Sequence, residues 1–153
     1  MRRLVLFFLL CGIFAAASAR AATGRVIKVL PQFLDLQGRH TLSPSLYDRD
    51  AYQVILRDHP EKRSGIRFAV QWKIHGEKTA QIKLRVELRG TAEGDLPSKM
   101  VLETALQRGG WFSHWTSLPV TGNNYTKIGE VTAWRVTLWE GDRLLSEQKS
   151  FLW

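Results

Sequence analysis

In IRFAVQWKI (Ile66–Ile74) the side chains Ile66, Phe68, Val70, Trp72 and Ile74 occupy every second position. QIKLRVEL (Gln81–Leu88) repeats the pattern with Ile82, Leu84, Val86 and Leu88. A period of two marks strands with one buried face, so the chain is built on β-sheet. Both apolar sets fall on even positions. An antiparallel hairpin through the turn at Gly76-Glu77 then pairs even with even, placing Trp72 opposite Ile82, Phe68 opposite Val86 and Arg67 opposite Glu87. The residues between point to solvent: Arg67, Lys73 and His75 on one strand, Lys83, Arg85 and Arg89 on the next. The expectation is one basic outer face.

Upstream, GRVIKVLPQFLDLQG (Gly24–Gly38) is a strand carrying Pro31, which donates no ladder hydrogen bond and so places the strand at a sheet edge or breaks it in two. SPSLYDRDAYQVILRDHP follows, with Ser43 as N-cap, Pro44 at the first helical position and Pro60 beyond the end, predicting a helix over about 45–58. Tyr47, Ala51, Val54 and Ile55 share one side of it and Arg49, Asp50, Gln53 and Arg57 the other, as expected of a helix lying on a sheet. Downstream, KMVLETALQ and WFSHWTSL are strands around Arg108-Gly109-Gly110, and Gly122-Asn123-Asn124 makes a longer turn. Glu130–Glu140 and Arg143–Leu152 flank Gly141-Asp142, a hairpin signal that sets Trp139 opposite Leu144. The expected fold is mainly β, a two-sheet immunoglobulin or fibronectin III-like sandwich of seven strands with one inserted helix.

The N-terminus reads differently. Met1-Arg2-Arg3, the apolar run Leu4–Ala17 and the small residues around Ala19 and Ala21 have the form of a secretory signal peptide, too short in its apolar part for a spanning helix. That divides the chain into a signal over 1–21 and a single domain over 22–153, exported by the general secretory route to the periplasm or the medium, with no transmembrane span once the signal is cleaved. Cys11 is the single cysteine, so disulfides and thiol chemistry leave with the signal. Of the formal charge of +8, the signal takes Arg2, Arg3 and Arg20, leaving +5 on the domain. A basic excess favours anionic neighbours; no motif indicates specific recognition of nucleic acid.

His40, His59, His75 and His114 have no metal-ligand spacing, and Asp48-x-Asp50 lacks the glycine and distal glutamate of a calcium loop. No nucleophile elbow and no phosphate-binding glycine loop occur, so neither a catalytic residue, a metal nor a cofactor is assigned. What stands out is aromatic and basic. Trp111 and Trp115 in WFSHW share a parity and can form a stacking platform for sugar rings, and Trp139 sits on the mixed face of its strand. Trp72 and Trp134 lie on apolar faces and belong to one core. The candidate ligand-binding residues are therefore Arg67, Lys73, Lys83, Arg85, Arg89, Trp111, Trp115 and Trp139.

With SLYDRDAYQVILRDHPEKRSGIRFAVQWK and AWRVTLWEGDRLLSEQKSFLW in view, the chain resembles small exported bacterial proteins of unknown function built as a single immunoglobulin or fibronectin III-like domain. It departs from true immunoglobulin domains in lacking both inter-sheet cysteines and in carrying the helix. The resemblance implies fold and compartment, and no activity. The function expected is a non-catalytic binding or structural accessory of the cell envelope, its partner an anionic envelope polymer or another envelope protein. Two alternatives stand beside it: an enzyme acting on an envelope polymer, and a small outer-membrane β-barrel, for which the final Trp153 speaks and the helix and the charges Glu147 and Lys149 do not.

Overall fold

The computed structural model describes residues 22–76, 80–107 and 110–153, the side chain of Trp111 excepted. The proposed signal peptide lies outside them. In chain order the elements are β1 (Thr23–Asp35), α1 (Leu46–Asp58), β2 (Arg63–His75), β3 (Ile82–Ala92), β4 (Leu96–Leu106), β5 (Gly110–Thr121), α2 (Gly122–Ile128), β6 (Glu130–Glu140) and β7 (Arg143–Lys149), with single 3-10 turns at Pro60–Lys62 and Glu93–Asp95. The seven expected strands are present. They form two antiparallel sheets, one ordered β1-β2-β5 and the other β4-β3-β6-β7, and no closed barrel among the described residues, which removes the barrel alternative.

The period-two faces meet across the molecule. Val26, Val29, Phe68, Val70, Trp72 and Ile74 of the first sheet and Ile82, Leu84, Val86, Leu88, Val136 and Leu138 of the second are buried in one core. Trp72 is 2 % exposed; Trp134 is partly buried and packs against that core from its rim. The expected β2–β3 hairpin does not form. Phe68 pairs with Pro31 and Leu118, and Val86 with Leu102 and Val136. Two wholly apolar faces are buried equally well side by side or face to face. Six residues separate His75 from Ile82 in sequence, enough chain to span the roughly 10 Å between stacked sheets. β4 and β5 part in the same way, one to each sheet.

Pro31 does mark an edge strand, since β1 pairs only with β2. α1 sits against that edge. Gln53 accepts from the Phe33 N–H at 2.7 Å and donates to Phe33 O at 3.0 Å and His40 O at 2.8 Å, so one side chain satisfies backbone groups as a neighbouring strand would. Tyr52 donates to Asp35, and Leu56 is the buried apolar residue of the helix. The helix is thus turned over relative to expectation: Tyr47 is 82 % exposed, and Val54 and Ile55 face solvent. The sheets had already used their apolar faces on each other, leaving the helix a polar edge to dock on. Its N-cap is Ser45, whose hydroxyl accepts from the Asp48 N–H, rather than Ser43, whose hydroxyl accepts from the Ser45 N–H in the turn before. At the other end the buried Arg63 donates to the Leu56 and Arg57 carbonyls, pairs with Glu130 at 3.1 Å and lies 3.9 Å over the Phe33 ring.

The expected turn at Gly122–Asn124 is a second helix, α2, whose Ile128 closes one end of the core. Gly129 ends it at φ +65°, against Thr91: a Cβ there would stand 2.1 Å from the Thr91 carbonyl oxygen. The Gly141-Asp142 hairpin forms as expected, with Trp139 opposite Leu144.

Candidate binding face

The crossing of β2 and β3 divides the expected basic face between the two outer surfaces of the molecule. Arg67 and Lys73 lie on one, Lys83, Arg85 and Arg89 on the other. Arg67 is bound by its Nε and Nη2 to Gln32 Oε1 at 3.0 and 2.8 Å, not placed across from Glu87, and burial lowers its pKa. Nearby, burial and then the charges of Arg67 and Arg49 push His40 below its ordinary value, so it favours the neutral form.

The surface of the four-stranded sheet is charged and internally paired. Arg85 lies 3.3 Å from Glu103, and Arg135 lies 2.6 Å from Glu87 and 3.9 Å from Glu147. Trp153 folds back over this surface, with the Arg89 guanidinium 4.1 Å and the Arg135 guanidinium 4.9 Å from its ring, so the terminal aromatic stacks on cations. Trp139 is partly buried, donates to Thr137 Oγ1 and stands beside Lys83 in a shallow recess of about 150 Å³ that Arg85, Glu103 and Asp142 also line.

The three-stranded sheet presents something different. Lys28, Gln71 and Trp115 form a row across its outer face, and Arg25 and Lys73 form the next. Gln71 donates to Ser113 at 3.0 Å on the same side, and Trp115 is 51 % exposed. Every carboxylate on a strand is ion-paired, from Asp35 with Arg39 to Glu140 with Arg143. Among the described residues Arg25, Lys28 and Lys73 have no carboxylate partner, and the outward strand positions beside them carry no acid. A cleft of about 430 Å³ opens at its end, lined by Arg25, Ile27, Lys73 and His75.

Of the residues singled out from sequence, Lys73 and Trp115 come together here. Arg25 and Lys28 join them and were missed. Strict alternation puts 25 and 28 on opposite faces; a bulge at Ile27, between the pairs Val26–Trp72 and Lys28–Gln71, brings both to one. A further cleft of about 350 Å³ lies between the edges of β4 and β5, where Trp72 donates to Thr116 Oγ1 at 2.8 Å and its ring lies 5.1 Å from that of His114. Among the described residues no three His, Cys, Asp or Glu side chains are grouped to hold a metal ion, and no helix is long and apolar enough to cross a membrane. The geometry defines a two-sheet β protein with a cationic and aromatic outer face on its three-stranded sheet. Comparison with family models, with curated proteins and with solved structures finds no match.

Proposed function

We propose that this protein is an exported, non-catalytic β-sandwich of the fibronectin III kind that serves the cell envelope as a binding module, holding an anionic polymer on the outer face of its three-stranded sheet. The observation that carries the reading is the convergence of Arg25, Lys28 and Lys73, which have no carboxylate partner among the described residues, with the exposed Trp115 on one face. Cations held at strand spacing repel one another, and an anionic chain laid across them relieves that repulsion. Trp115 offers an apolar plane to a sugar ring, and Gln71 and Ser113 offer hydrogen bonds beside it.

Strand order supports the fold assignment. Constant immunoglobulin domains carry the fourth strand in the sheet of the first, whereas here β4 lies beside β3, as in fibronectin III. The non-catalytic reading is supported by the strand carboxylates, each committed to an arginine. Export rests on the charged start, apolar run and small-residue sites before Ala22.

The test is retention on an immobilised acidic polysaccharide at low and moderate salt. The double variant Arg25→Glu/Lys73→Glu should lose salt-sensitive retention, while Lys83→Glu/Arg85→Glu, altered on the opposite surface, should keep it. Equal retention of the two variants would refute binding by this face.

A further inference from the structure

We propose that two copies of this chain associate through the free edge of β4, antiparallel about a two-fold axis at Val101, joining two four-stranded sheets into one continuous sheet. A sheet edge offers unpaired N–H and C=O groups, and proteins that stay apart blunt it. Three of the four edges here are blunted. β1 carries Pro31, the bulge at Ile27 and the hydrogen bonds of Gln53. β7 is held by β1, with Ser146 Oγ accepting from the Val26 N–H at 3.0 Å. β5 has an irregularity where it pairs with Trp72 and Ile74, and carries Pro119.

β4 differs. It pairs with β3 without a register shift from Leu96 to Leu106, and among the described residues no backbone group of another element bonds to its outer side. Pro97, near its start, has no N–H to give β3. The alternation of an antiparallel ladder then turns the backbone groups of Lys99, Val101 and Glu103 toward the free edge.

The sequence of that edge identifies the partner as a second copy. In KMVLE (Lys99–Glu103) the charges mirror each other about Val101, which is 48 % exposed. Antiparallel pairing centred there sets Val101 against Val101, Met100 against Leu102, and each Lys99 against a Glu103. Within one copy Lys99 stands directly across from Arg89, a like-charge pair that is mildly destabilising. The incoming Glu103 offsets it and completes a cluster with Arg85, already 3.3 Å from Glu103 in its own chain. One patch meets itself, so the contact closes as a dimer rather than growing into a filament.

The experiment is sedimentation equilibrium of the purified protein and of Lys99→Glu and Glu103→Lys, singly and mixed one to one, with thermal melts confirming that each variant folds. The parent should dimerise reversibly. Either substitution sets like charges together twice across the axis, weakening association roughly thirtyfold, at up to about 1 kcal/mol per cross-strand pair. In the mixture every carboxylate meets a lysine again, so the two weakened variants should recover parental affinity as a mixed dimer. A parent that remains monomeric up to about 1 mM, single variants that associate as the parent does, or a mixture no tighter than its components would each overturn the proposal.

Discussion

Asp35 closes β1 and organises the turn after it, and its titration should be readable in the stability of the whole protein. Its Oδ1 accepts from the backbone N–H groups of Gln37 and Arg39 at 2.9 and 2.8 Å, and its Oδ2 from Arg39 Nε at 2.9 Å and the Tyr52 hydroxyl at 2.8 Å. Burial alone would raise its pKa, but these hydrogen bonds outweigh it and bring the carboxyl from 3.8 to about 2. A carboxylate whose pKa falls on folding stabilises the protein above its unfolded value, and that stabilisation is lost as pH falls through the folded one. The difference corresponds to about 2.5 kcal/mol at neutral pH, of which about 2 should be gone by pH 2. Asp35→Asn keeps an acceptor for the two backbone groups but sets an amide against the Arg39 guanidinium. Urea unfolding at a series of pH values should therefore show the variant less stable by about 2–3 kcal/mol at neutral pH and nearly equal to the parent at pH 2. A gap independent of pH would refute the assignment of that stability to the ionised carboxyl.

Trp72→Ala should cost about 3–5 kcal/mol, because a buried indole and its bond to Thr116 are both lost; Trp134→Ala, at the rim of the core, should cost visibly less in the same melts. Leu56→Ala should cost about 2–4 kcal/mol by loosening α1, whereas Val54→Asn on its solvent side should stay within about 0.5 kcal/mol of the parent. Comparable losses at the two positions would mean that the helix docks by its other face. On the proposed binding face, Trp115→Ala should weaken retention on the acidic polysaccharide while leaving the salt dependence that comes from Arg25, Lys28 and Lys73. A changed salt slope would show that Trp115 does not act by stacking.

Alternation, punctuation and capping residues are local properties, and they determined by themselves that this chain makes strands with apolar faces at Ile66–Ile74 and Ile82–Leu88, an edge strand at Pro31, a helix near 45–58 and a two-residue hairpin at Gly141-Asp142 with Trp139 facing Leu144. Each is fixed by side-chain period, by a missing donor or by a turn that glycine alone enters at no cost. Only the tertiary structure decided what each buried face is buried against. An apolar face states that it will leave water without naming its neighbour, so β2 and β3 were free to part into separate sheets, and with them the charges that sequence had gathered into one face. The same competition turned α1 over: once the sheets had buried each other, the interface left to the helix was a strand edge with hydrogen bonds to satisfy, which Gln53 and Tyr52 do and Tyr47 and Val54 cannot. The proposed binding face rests on the least local feature of all. One bulged residue, Ile27, reverses the parity of β1 and sets Arg25 and Lys28 beside Lys73, and where a ladder takes up an extra residue depends on the strand it pairs with.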